Sequence, residues 1–186
     1  MSGNYVARNG QDSTGGLGTD ESAFTSSYQL FYSGEALGGS VLAQVGYAIE
    51  RNMTGATTFA TAAGFDEMSG GDGEGYSIAG AWAPEDSGLI PSISGGFSSF
   101  DSDGSSDEVE GWYVGLEWSD VFIDGYSFGA AIGSAPNIGS SDENTIWEVF
   151  YAMPVTDNIT ITPALFGADS DLQADEFGGL VKTTFS

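Results

Sequence analysis

The feature that most constrains this chain is hydrophobic alternation with a period of two, repeated in segments of about ten residues with glycine-, serine- and acid-rich punctuation between them. Phe24, Ser26, Tyr28, Leu30 and Tyr32 form one stripe, and Val41, Ala43, Val45, Tyr47 and Ile49 the next. Tyr76, Ile78, Gly80 and Trp82 follow, then Ile93, Gly95 and Phe97, then Trp112, Val114, Leu116 and Trp118. Thr145, Trp147, Val149, Tyr151 and Met153 make another, and Phe177, Gly179, Val181, Thr183 and Phe185 close the series. Successive side chains of a strand point to opposite faces, so each stripe predicts a strand with one apolar and one more polar face. With a short piece over residues 4–8 and strands over 122–133 and 159–166, the count is about ten. The fold expected is all-β, an antiparallel sheet in one domain spanning residues 1–186.

Composition removes several functions. The 186 residues carry 27 acidic and three basic side chains, a net charge of −24, with no histidine and no cysteine. Nucleic-acid binding needs clustered lysine and arginine, so it is not expected. Triads built on histidine, thiolate nucleophiles, disulfides and imidazole or thiolate metal sites are excluded outright. No apolar run reaches the ~20 residues of a membrane-spanning helix, so a membrane role would fall to strands. Hydrophobic residues at 40% and aromatics at 13% are too many for a solvated acidic tail.

The connections alternate in length when residues 57–63 are placed in a loop. Those over 9–23, 50–75, 101–108, 134–143 and 167–176 read as long, and those at 34–39, 119–120 and 154–158 as short, with 83–91 intermediate. Long loops at one end and short turns at the other are the pattern of a transmembrane barrel. Most acids fall in the long connections, including Asp66, Glu67, Asp72, Glu74, Asp101, Asp142 and Asp169. Trp82 and Trp118 lie towards the short turns and Trp112 and Trp147 towards the long loops, as aromatic girdles do at two membrane interfaces. The alternative for the same tryptophans is the core of a water-soluble barrel.

Candidate sites are few. Asp101 to Glu108 offers oxygen ligands for Ca²⁺ without EF-hand spacing, and Gly70 to Gly75 resembles a single turn of a calcium-binding repeat. Both read better as solvated acidic loop, so no metal and no cofactor is expected. Glu117 and Glu148 are the strand-borne candidates for the paired carboxylates of glycoside hydrolysis, and nothing converges on them, so no enzyme is expected. Gln44, Glu50, Glu117, Glu148 and Lys182 all oppose apolar stripes and are the candidate lining of a polar channel.

The C-terminal third carries a more specific signal. The stretch Gly115-Leu-Glu-Trp-Ser-Asp-Val-Phe-Ile-Asp-Gly-Tyr-Ser-Phe-Gly, the run Val155-Thr-Asp-Asn-Ile-Thr-Ile-Thr-Pro-Ala-Leu-Phe and the ending Phe177-Gly-Gly-Leu-Val-Lys-Thr-Thr-Phe resemble cyanobacterial outer-membrane porins of the carbohydrate-selective and iron-uptake family. The resemblance implies a homotrimeric, roughly sixteen-stranded barrel in the outer membrane that passes small solutes and inorganic ions by diffusion. It further implies that these residues form the C-terminal portion of such a barrel. Acidic loops and a mostly acidic lumen predict a preference for cations. The other functional expectation is a soluble, secreted acidic β-domain that binds Ca²⁺ or a partner through its loops.

Overall fold

A computed structural model describes residues 1–7, 13, 19, 22–53, 71–86, 88–102, 108–135, 144–169 and 176–185. Ten strands form one sheet: β1 (Ser2–Ala7), β2 (Phe24–Ala36), β3 (Gly39–Met53), β4 (Gly71–Pro84), β5 (Ser92–Ser102), β6 (Val109–Ser119), β7 (Ser127–Ala135), β8 (Asn144–Thr156), β9 (Ile159–Asp169) and β10 (Glu176–Phe185). Each pairs antiparallel with its sequence neighbours, in the order β1 to β10, so the chain is a continuous meander with β1 and β10 as its two edges. The loop acids at 54–70, 103–107, 136–143 and 170–175, and the 57–63 segment, lie outside the described residues.

Register decides what the alternation means. Val41 stands opposite Trp82, Trp82 opposite Ile93, and Ile93 opposite Leu116. The row continues through Ala130 and Val149 to Leu165. Directly paired residues share a face, so every apolar stripe of the sequence lies on one side of the sheet. Phe128, Ala130 and Ile132 of β7 and Ile161, Pro163 and Leu165 of β9 join them. We call this the aromatic face. The opposite, small-residue face carries Gly75, Ala79, Gly96, Ser98, Gly129 and Gly133 among its members.

The same row shows that the strands tilt. Val41 lies near the turn at residues 37–38, whereas Leu165 lies mid-strand in β9. Stagger of this kind accompanies the strand tilt that lets a sheet curl towards a barrel. The curl is towards the small-residue face, because Gln44 on β3 and Glu176 on β10 border one cavity of about 600 Å³. Small side chains permit this, since a concave face crowds whatever projects from it.

Four of the larger rings on the concave face are laid flat, Phe31 opposite Gln44 being the exception. Phe100, Tyr113, Phe150 and Phe166 each stand directly opposite a glycine: Gly75, Gly96, Gly129 and Gly178 respectively. A Cβ on Gly96 would sit 2.5 Å from Tyr113, one on Gly178 2.6 Å from Phe166, and one on Gly75 2.9 Å from Phe100. Each ring therefore occupies the space above its neighbour's bare backbone rather than the cavity above.

Three sequence expectations are corrected. The strand expected over 122–133 begins at Ser127, and residues 120–126 are a connection closed by Tyr126 N–H to Ile123 C=O at 3.1 Å and Gly125 N–H to Asp120 Oδ1 at 2.7 Å. Residues 71–75 are the start of β4, not loop, so Asp72 and Glu74 are strand residues, as is Asp101 at the end of β5. The alternation of connection lengths is also weaker than expected, since 85–91, 103–108, 120–126 and 136–143 are of similar size.

Candidate functional site: the two faces of the sheet

Among the described residues the sheet has no second layer, and so no core. Among the described residues, only Ala48, Phe100 and Ala164 are buried apolar side chains, and no side chain is fully buried. On the aromatic face Leu30, Ile78 and Val181 are exposed by 56%, 57% and 68%. A water-soluble domain of this length would bury most such residues under another layer.

The charges divide the faces. Among the described residues, the aromatic face bears Arg51, Asp72, Glu74, Asp101, Glu110 and Asp169, and each sits at the strand end away from the 37–38, 85–91, 120–126 and 157–158 connections. Below them the face carries no charged side chain among the described residues. There Arg51 Nε lies 3.6 Å from Asp72, and the Tyr47 hydroxyl donates to Glu74 at 2.9 Å. The half-exposed ion pair contributes little to stability.

Aromatic rings mark both margins of the uncharged band. At the charged margin stand Tyr5 with Phe24, Tyr76 with Phe97 and Trp147 with Phe177, their centroids 5.0, 6.0 and 6.1 Å apart. Trp112 lies at the same margin. At the other margin Trp118 meets Phe128 at 5.7 Å. The Trp82 indole N–H donates to Ala36 C=O at 3.3 Å and that of Trp118 to Leu89 C=O at 3.2 Å. All four tryptophans therefore lie on the aromatic face, two at each margin. From Glu74 to Pro84 the strand rises ~33 Å at ~3.3 Å per residue. With a barrel tilt of ~40°, that is ~25 Å along the axis, the height of the apolar band of a transmembrane barrel.

On the small-residue face, Glu35, Glu50, Glu117, Glu148, Glu176 and Lys182 are distributed from one strand end to the other. No family model, curated protein or solved structure matches this chain.

All five lining candidates share the small-residue face, in different settings. Gln44 and Glu148 border the cavity. Glu117 is exposed near the 120–126 connection, and Lys182 is exposed on the edge strand β10, opposite Thr162. Glu50 lies between the buried Thr25 and Gly73 and is only 5% exposed, so it is walled off rather than open to the cavity. Sequence reasoning missed Glu176, which borders the cavity although its position had read as the end of a loop, and the flattened rings of Tyr113 and Phe166. The phase of β10 relative to β9 would have found Glu176, because it falls on the same side as Lys182. Among the described residues no group of three or more acidic side chains is placed to hold a metal ion.

Proposed function

We propose that this chain forms part of the wall of an outer-membrane diffusion pore, with the aromatic face against lipid and the small-residue face against water. The observation that carries this reading is the charge partition: one face excludes charge along a ~25 Å band between two aromatic margins, whereas the other carries it throughout. The resemblance of the C-terminal third to cyanobacterial porins supports the same reading and implies a homotrimer. In lipid the backbone groups along the edges of β1 and β10 must be paired. Further strands, as in a barrel of about sixteen, provide that closure.

The transport is passive and favours inorganic cations and small neutral solutes. Glu117 near one mouth, Glu148 in the cavity and Glu176 near the other mouth set a negative potential along the path, opposed by Lys182. The expected result for Glu117→Gln with Glu148→Gln is a severalfold fall in cation-over-anion permeability, read as a shift of reversal potential in a KCl gradient across a planar bilayer. An unchanged reversal potential removes both carboxylates from the conducting path. Anion preference in the unaltered chain contradicts the selectivity itself.

A further inference from the structure

The end of the sheet away from the charged margin has a feature that a pore wall does not require. Its connections present bare apolar side chains: Leu37 is 90% exposed, Leu89 96% and Phe122 94%, with Ile90 and Ile123 beside them at 63% and 53%. Carboxylates lie within four residues of each along the chain: Glu35 near Leu37, Glu85 and Asp86 near Leu89, and Asp120 and Asp124 flanking Phe122. These acids are exposed, and no lysine or arginine lies among the described residues of these connections.

The connections are tied into one rim. Glu85 N–H donates to Gly38 C=O at 3.1 Å, which joins the first turn to the second connection. The Trp118 indole on Leu89 C=O joins the second connection to β6, and the Tyr151 hydroxyl donates to Val121 C=O at 3.2 Å, which joins β8 to the third. These bonds link the connections to one another and to the strand ends.

Local preference opposes the residues chosen. Leu37 and Gly38 have φ of 57° and 70°, the signature of a two-residue turn in which asparagine, not leucine, is favoured at the first position. Phe122 has φ of 66°, a region that bulky side chains rarely enter. Leucine and phenylalanine here are exposed to water and conformationally disfavoured, and both costs disappear with asparagine. A hydrophobic side chain in that setting points to a surface that is covered by something else.

We infer that this rim is a docking surface for a cationic, amphipathic polypeptide segment of another protein, whose apolar side chains cover Leu37, Leu89 and Phe122 and whose lysines or arginines meet the surrounding carboxylates. Charge complementarity selects this occupant: a second copy of the chain would bring the same acids against it, and an anionic lipid surface would be repelled. The observations behind the inference come only from the turn end, while its test in nanodiscs rests on the membrane reading of the proposed function.

The test uses the full chain in zwitterionic nanodiscs, with empty discs subtracted, titrated with a synthetic helical peptide of leucine and lysine. The same peptide with glutamate for lysine, and with serine for leucine, serves as control. The expected result is saturable binding of the leucine–lysine peptide alone, weakened at least tenfold by Leu37→Asn with Phe122→Asn. That variant should denature no earlier than the unaltered chain, since it relieves both backbone positions. Glu85→Gln with Asp86→Asn and Asp124→Asn should weaken binding and flatten its salt dependence. Equal binding of the glutamate peptide, or undiminished binding by the asparagine variant, overturns the inference. Self-association of the unaltered chain that the asparagine variant loses would assign the rim to a second copy and overturn it as well.

Discussion

Ile78→Arg is expected to destabilise the folded chain in lipid vesicles by ~2–4 kcal/mol, whereas Ala131→Arg should change stability by less than ~1 kcal/mol. Both side chains are exposed, and both lie well within their strands. Ile78 lies on the aromatic face in the row Val45–Ile78–Phe97, within the band that carries no charge. Ala131 lies on the opposite face, in the row Gly115–Ala131–Glu148. If both faces met water, an arginine at the 57% exposed Ile78 would be close to neutral, as surface substitutions usually are. The difference between the two variants therefore measures what covers each face. Guanidinium unfolding from vesicles, followed by tryptophan emission, gives both numbers. Near-equal effects would remove the distinction between the faces.

The second large effect concerns the flattened rings. Gly129→Val should cost ~1–3 kcal/mol, because a new side chain enters the volume held by the Phe150 ring and forces the ring off its position. Gly129 is buried and directly opposite Phe150. Phe150 projects from the small-residue face, so on the pore proposal a ring displaced from the sheet narrows the path and conductance should fall along with stability. Combining Gly129→Val with Phe150→Ala should recover part of the loss, since the smaller residue vacates the contested space. Two contacting positions couple in this way, and distant ones add. Strict additivity in the double variant would show that the ring and the glycine do not share the site.

The extent to which sequence revealed the fold follows from these contacts. The phase of each strand was legible because the two faces meet different surroundings and so differ in side-chain type at every second residue. Trp112, Val114, Leu116 and Trp118 against Gly111, Tyr113, Gly115 and Glu117 is the clearest case. Strand ends were not legible where glycine had two meanings. Gly71 to Gly75 reads as loop by composition, yet Gly73 and Gly75 lie inside β4 because the Phe100 ring covers them from β5. That pairing exists only once the register is set. Residues 121–123 failed in the opposite sense. Val121, Phe122 and Ile123 are strand-formers by type, but the positive φ of Asp120 and Phe122 turns the chain away, and no local pattern announces a phenylalanine in that region.

The candidate lining divided along the same line. Placing Gln44, Glu50, Glu117, Glu148 and Lys182 on one face needed only the period of two. Telling the walled-off Glu50 from the cavity-bordering Glu148 needed the curl of the sheet, which arises from stagger summed across many strands. The four tryptophans were placed at their two margins by strand ends alone. Their shared face follows from the register.

The chain contains no cysteine, so single cysteines report without background. A fluorophore on Val149→Cys and on Glu148→Cys places adjacent residues of β8 against the two proposed surroundings. In vesicles, the account predicts that brominated acyl chains quench the label at position 149 and aqueous iodide quenches the label at 148. Iodide quenching of both labels to the same degree, or the reverse assignment, would contradict a sheet with lipid on one face and water on the other.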